Sequence, residues 1–324
     1  MENALISFSK KLKATIKKKS RIAIATHIDP DFDGLAAALA TGYLIRSITR
    51  RSPIMYCNSA VPVKYGFIVR NWNFVQKWPS SDLLIVVDSA SLDRIFCDPD
   101  GGYELPAMII NIDHHKSNVR FGAMNYNDEN ASSACEIIYN IYEILKVKIT
   151  RAVAETLYTG LYSETGGFVY PNTTSDTLRI AANLVRQYIK PDLVVKQINA
   201  KTVNGTRLLS KVLATIELRN GIGTMYVTKK MIAECRANMS DTENFVSFLM
   251  AINQVKVAIF LREQNDFTRI SLRSNCQIDV DRVARKYGGG GHRLAAGIKM
   301  QTPLKKAMKA ILLAVRKQLN DINN

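Results

Sequence analysis

The sequence predicts an α/β protein: a doubly wound, mainly parallel sheet followed by a smaller α+β domain. Three observations carry that prediction. In the first half, short runs rich in Ile and Val alternate with segments of helical periodicity, the pattern of a parallel sheet built from strand–helix units. From about residue 190 the alternation gives way to a helix, a hairpin pattern and a glycine run. With 324 residues, 47% of them apolar, the chain can bury two cores. The expected organisation is a first domain over 1–190, a connecting segment over 191–204 and a second domain over 205–324.

Taken in order, Leu5, Phe8, Leu12 and Ile16 recur at helical spacing among Lys10, Lys11, Lys13 and Lys17 to Lys19. Such a helix either packs on the domain with a solvated basic face or lies on RNA or a membrane surface. It has no apolar core followed by small residues, so it does not read as a signal peptide. Strands are expected at 21–26, 53–57, 83–87 and 107–112, with helices at about 34–48, 133–146, 151–162 and 176–189. Continuous apolar runs of this length suit strands covered on both faces. Beyond Pro191 come a strand at 222–228, a helix at 241–253 and a hairpin of 255–262 with 268–273 around Asn265-Asp266. A helix at 280–287 leads into four glycines, and a basic amphipathic helix at 304–319 follows.

The formal charge of +16, from 44 Lys and Arg against 28 Asp and Glu, favours an anionic partner such as nucleic acid, nucleotide phosphates or a membrane surface. A solvated basic surface accounts for it equally well. Five scattered cysteines (Cys57, Cys97, Cys135, Cys235, Cys276) form no C-x-x-C pair, which argues against a zinc knot or disulfide framework and for a reduced, cytoplasmic protein. No apolar run is long enough to span a bilayer.

Potential ligands gather where the expected strands end. The strand 21–26 runs into His27, Asp29, Asp31 and Asp33; 83–87 runs into Asp88; 107–112 runs into Asp113-His114-His115. Carboxyl ends of adjacent strands in a doubly wound sheet converge on one crevice. Carboxylates crowded there repel one another, and cations relieve the repulsion. Mixed oxygen and imidazole donors suit manganese, iron or zinc better than calcium.

The segment His27-Ile-Asp-Pro-Asp31-Phe-Asp33-Gly34, then Val-Val-Asp88-Ser, Asp113-His114-His115 and Leu-Tyr-Thr-Gly-Leu-Tyr-Ser-Glu164-Thr-Gly-Gly-Phe168 resembles the four motifs of the DHH phosphoesterases. The order and spacing resemble most closely the nano-RNase/pAp-phosphatase group. The resemblance implies two divalent metal ions, Mn2+ by preference. It places His27, Asp31 and Asp88 on one ion, and Asp33, Asp88, His114 and Glu164 on the other. It has His115 facing the substrate phosphate and Asp113 supporting the histidines. Asp29 falls outside this ligand pattern. The family usually has Asp where Glu164 stands, and the extra methylene moves the carboxylate by more than about an ångström. Three outcomes remain open: an active site with adjusted geometry, a weakened second metal, or a binder that has lost catalysis.

In the second half, Gly288 to Gly291 followed by His292-Arg293-Leu294-Ala295-Ala296-Gly297 offers consecutive backbone amides able to form an anion-binding concavity. This stretch resembles the signature of the DHHA1 domain, as do Ser271-Leu-Arg273-Ser274 and Ile278-Asp279-Val280. The resemblance assigns substrate binding to Arg273, Ser274, Gly289, Gly290, Gly291 and His292, with the substrate lying between the domains. The implied reaction is attack on phosphorus by a metal-activated water. The implied partners are short RNA or DNA oligonucleotides, or 3′-phosphoadenosine 5′-phosphate. Phe168 is either a base-stacking residue or part of the core. A homodimer is compatible with the sequence. Hydrolysis of cyclic dinucleotides or their linear products and a non-catalytic nucleotide or RNA binder are the rival readings. A pyrophosphatase fits less well, because it lacks the glycine run.

Overall fold

A computed structural model of the chain describes residues 2–70, 72–96, 103–275 and 278–323. It resolves into two compact units, Met1–Ala200 and Lys201–Asn324.

The first unit runs α1 (Glu2–Lys18), β1 (Ile22–Ala25), α2 (Phe32–Thr49), β2 (Ile54–Tyr56), α3 (Gly66–Val69), β3 (Phe74–Val75), β4 (Leu83–Val87), β5 (Ile109–Asp113), β6 (Met124–Asn127), α4 (Ala134–Leu145), α5 (Arg151–Glu164), α6 (Ser175–Val185) and α7 (Pro191–Ile198). Its six strands lie in the order β3-β2-β1-β4-β5-β6, and every pairing is parallel. Strand alternation sends Ile22, Ile24, Ile85, Val87 and Ile110 to one face, where they meet α1, α2, α4 and α5. The opposite face carries Ala23, Ala25, Leu84 and Val86 in a cluster with Tyr56, Trp78, Phe96 and Tyr103. Leu5, Phe8, Leu12 and Ile16 of α1 are all buried, so its apolar stripe is spent on the unit's own core. The chain lays β2 and β3 on one side of β1, then crosses to place β4 on the other. That reversal opens a crevice at the carboxyl ends of β1 and β4.

Strands β3 and β6 are absent from the sequence expectations. The first has two residues, and the second, Met-Asn-Tyr-Asn, lacks an Ile/Val run and sits at an edge.

The second unit contains α8 (Val203–Leu213), β7 (Glu217–Arg219), β8 (Ile222–Val227), α9 (Lys229–Cys235), α10 (Val246–Met250), β9 (Val257–Glu263), β10 (Thr268–Ser274), α11 (Val280–Arg285), β11 (Gly290–His292), β12 (Ala295–Met300) and α12 (Leu304–Asn323). Its sheet is ordered β11-β12-β10-β9-β8-β7 and is antiparallel except between β8 and β9. One face packs on α11 and α12. The other packs on α8, α9 and α10 through Met225, Val227, Ala258 and Phe260. The β9–β10 hairpin turns through Asn265-Asp266, where the Gln264 amide donates to the Phe267 carbonyl. The helix expected over 241–253 is shorter: Asn244 takes a left-handed φ of 60°, and only Val246–Met250 forms α-helix. Among the described residues, no helix is long and apolar enough to cross a membrane.

Candidate metal centre

The crevice is furnished by the residues that follow three adjacent strands. His27 stands two residues beyond β1 and is buried. Asp31 is the N-cap of α2, its Oδ1 accepting from the Gly34 amide at 3.0 Å. Asp88 immediately follows β4 and adopts φ 55°, a left-handed conformation that costs energy for a residue with a side chain. Its amide still donates to the Ile112 carbonyl, so the carboxylate is fixed at the end of the sheet. Asp113 closes β5, and His114 and His115 follow it.

Two overlapping groups result: His27, Asp31 and Asp88, and Asp88, His114 and His115, each with ligand atoms within 4.8 Å of one another. Asp88 belongs to both. Its Oδ2 lies 3.7 Å from His27 Nε2, and its Oδ1 lies 3.4 Å from His114 Nε2 and 3.7 Å from His115 Nδ1. Asp88 Oδ1 is buried and makes no hydrogen bond of good geometry, its nearest ring nitrogen being His114 Nε2 at 3.4 Å. His27 Nδ1 donates to the Ile28 carbonyl at 2.9 Å, so Nε2 is the ring atom turned toward Asp31 and Asp88, each 3.7 Å away. Oxygen and imidazole donors of this kind fit a divalent transition metal.

Electrostatics reinforce that fit. Burial by itself would lower the His27 pKa, but the hydrogen bond and charge of Asp31 and the charge of Asp88 raise it to about 9. His114 is also buried, and Asp88, Glu164 and Asp33 raise it to about 10. Burial and the Asp88 charge push Asp33 up to about 7. Without a metal, this carboxylate cluster gathers protons to supply the positive charge that it needs.

Residues 21–161 match the DHH family, N-terminal domain, and residues 223–321 match the DHHA1 domain. The chain is 30% identical over 302 residues to the "Bifunctional oligoribonuclease and PAP phosphatase NrnA" of Thermus thermophilus, covering 92% of this chain and 90% of that protein. The chain belongs to the DHH family. The Bacillus subtilis protein of the same name is 28% identical over 287 residues, covering 87% of this chain and 90% of its own length. The fold of an exopolyphosphatase-related protein from Bacteroides fragilis agrees with a TM-score of 0.88 at 22% identity, over 98% of both chains.

Within this DHH unit, two expected metal ligands stand beside the two groups rather than in them. Asp33 is fully buried, and its carboxylate accepts from the first two amides of α4, Ala134 N to Oδ2 at 2.7 Å and Cys135 N to Oδ1 at 3.1 Å. His114 Nε2 is 3.9 Å from Asp33 Oδ2. A carboxylate has about four lone-pair sites, so these two bonds position Asp33 and leave it capacity for an ion. Glu164 is the last residue of α5, and it feels the charges of Asp31, His114, Asp33 and Asp88. Burial first, then repulsion from Asp31, raises its pKa well above the usual carboxylate range, while His114 opposes the rise. The helices close tightly here. A Cβ added at Gly160 of α5 would run into Cys135 Sγ and stand 2.9 Å from Asp33 Oδ1.

His115 is oriented from outside the cluster. Its Nδ1 is 2.7 Å from Asp113 Oδ1, and Asp113 Oδ2 in turn accepts from Asn118 Nδ2 at 2.6 Å. Asn118 also donates to Asn111 Oδ1 and the Ser89 carbonyl. That chain fixes the His115 ring through its Nδ1. Asn118 is missing from the sequence reading, because a lone Asn in a polar turn carries no signal. Tyr65 was missed for the same reason. It is buried, and the charges of Asp31 and Asp29 act on its hydroxyl, whose pKa burial already raises. Asp29 itself is exposed, and its amide donates to Ser59 Oγ.

In the DHHA1 unit, Arg273 and Ser274 end β10; Ser274 is buried, and Arg273 Nη1 donates to the Leu272 carbonyl at 3.0 Å. The glycine run differs from an open row of amides. Gly288 and Gly289 donate to the Arg285 and Ala284 carbonyls and so terminate α11. Gly290 and Gly291 belong to β11, with the Gly291 amide on Asp281 Oδ1 at 2.8 Å. The physical requirement for glycine is contact with β12: a Cβ on Gly289 would strike the Gly297 carbonyl, and one on Gly291 the Ala295 carbonyl. The side chain of His292 lies outside the described residues.

Proposed function

We propose that this protein is a metal-dependent phosphoesterase acting on short oligonucleotides and on 3′-phosphoadenosine 5′-phosphate, with two divalent ions, Mn2+ by preference. The observation that carries the reading is Asp88, one of whose oxygens lies 3.7 Å from His27 Nε2 and the other, buried and without a well-formed hydrogen bond, 3.4 Å from His114 Nε2. The names of the Thermus and Bacillus relatives support the choice of substrate.

In this reading His27 and Asp31 would hold one ion, His114, Asp33 and Glu164 would hold the other, and Asp88 would serve both. Such ions supply a water acidified to act as nucleophile and neutralise charge on the phosphoryl oxygens. Asp113 and Asn118 fix the His115 ring. Its Nε2 can then donate to a phosphoryl oxygen or to the departing hydroxyl. Arg273 and Ser274 of the DHHA1 unit serve nucleotide binding in this reading.

The test is turnover of 3′-phosphoadenosine 5′-phosphate, a dinucleotide and an RNA pentamer with saturating Mn2+. The wild type hydrolyses at least one of them, and Asp88→Asn loses at least about a hundredfold in rate while keeping its fold. Absence of turnover of all three by the wild type would sink the reading.

A further inference from the structure

The face of the DHHA1 sheet that packs on α8, α9 and α10 also carries a cation that its surroundings do not neutralise. Arg262 lies near the end of β9, and its directly opposed neighbour on β10 is Arg269. Directly opposed residues of an antiparallel pair share a face, and alternation adds Ser271 and Arg273 to it. Arg262 is half-buried, stacked 5.5 Å over the Phe260 ring, and its Nη2 donates to Ser271 Oγ at 2.7 Å. Its Nε is buried and has no hydrogen-bond partner. The charges acting on it are those of Arg269 and Arg273, both positive. Burial and these two neighbours push the guanidinium down to about 10, still charged at neutral pH but held at a cost. The adjacent carboxylate, Glu263, alternates to the other side of the strand, and its Oε2 accepts from the Lys229 amide.

Space is available beside it. Gly297 of β12 is the register partner of Ser271, is exposed, and a Cβ built there meets only the Ile270 carbonyl at 3.9 Å. A planar fork with an unused N–H, flanked by a hydroxyl and a second guanidinium over an open glycine, matches a tetrahedral anion with several acceptor oxygens. Keeping an uncompensated cation half-buried costs stability, and such conflicts mark positions kept for a ligand.

We propose that Arg262, Ser271 and Arg269 form a phosphate-binding subsite on this face, in addition to Arg273 and Ser274. Its occupant is either a backbone phosphate of an oligonucleotide, which rests on the function proposed above, or a free phosphate compound.

Full-length protein in EDTA tests this without reference to turnover, comparing wild type, Arg262→Met and Arg262→Lys. One arm reads the rise in melting temperature with pyrophosphate; the other reads the anisotropy of a fluorescein-labelled RNA pentamer across a salt series. Arg262→Met should weaken binding of at least one probe by about tenfold or more, with a salt slope for RNA lower by about one. Arg262→Lys should fall between, keeping the charge without the fork. Loss of the pentamer alone identifies a backbone phosphodiester as occupant, and loss of pyrophosphate alone a free phosphate compound. Without ligand, Arg262→Met should melt at or above the wild-type temperature, because it removes an unneutralised cation. The proposal is overturned if Arg262→Met binds both probes as the wild type does, if the wild type binds neither, or if ligand-free Arg262→Met melts lower. An inactive wild type with Mn2+ would sink the proposed function and leave this result untouched.

Discussion

Loading the metal centre should expel protons, and the structure sets how many. At pH 7 the metal-free protein holds His27 and His114 as imidazolium ions, with pKa values of about 9 and 10, while Asp33, at about 7, is half protonated. A metal binds only the deprotonated ligands, so full loading at pH 7 releases at least two protons, about one from each histidine, and the raised Asp33 and Glu164 add to that number. Apparent Mn2+ affinity then rises about a hundredfold or more per pH unit near neutrality and levels off above the histidine pKa values. The sign for the metal-free fold is opposite. Histidines raised above their unfolded value near 6.5 contribute stability that is complete below that pH and lost as pH climbs through 9 and 10. Asp33, a carboxyl raised by burial, also loses stability as it ionises. The metal-free protein should therefore melt lower at pH 9 than at pH 6.5, and Mn2+ should reverse that loss. Calorimetric titration of Mn2+ in buffers of differing ionisation enthalpy counts the protons. Release of fewer than one proton at pH 7 would refute the account, since the ligands would already be bare without the metal.

Three further outcomes follow from the packing around the centre. Asn118→Ala removes the donor to Asp113 Oδ2 and should lower kcat about 10- to 100-fold with little change in KM, read by steady-state kinetics. Gly160→Ala drives a methyl group into Cys135 Sγ and should cost about 1–3 kcal/mol of stability; the double variant with Cys135→Ala should recover most of it in denaturant unfolding. Glu164→Asp withdraws a carboxylate that already sits in the field of His114 and Asp33, so it should lower kcat/KM, whereas a large gain would show that the native second-metal position is compromised.

Much of this was legible in the residue order. The apolar runs that became β1, β4 and β5 end in His27, Asp88 and Asp113, and a parallel sheet brings such ends together whatever the details of packing. Features set by contacts remote in sequence were not legible. Asp33 receives its donors from α4, 101 residues away, and no local pattern announces that. Asn118 acts only through Asp113, and the two-residue β3 is held by register with β2 rather than by propensity. In the second unit, four glycines read as an anion cradle because their freedom of φ was visible. Their close approach to β12, which consumes that freedom, was not.

The Asp33 carboxylate ties the amino end of α4 to the first turn of α2, making the centre a clasp between segments that meet only late in a folding chain. Local helices can form early, but this clasp must wait for the loop between them to close. An ion that binds there would therefore find no preassembled pocket on the unfolded chain and would act as a lock on finished molecules. Nascent chains would mature metal-free, and ion supply would govern how many stay folded rather than how fast they fold.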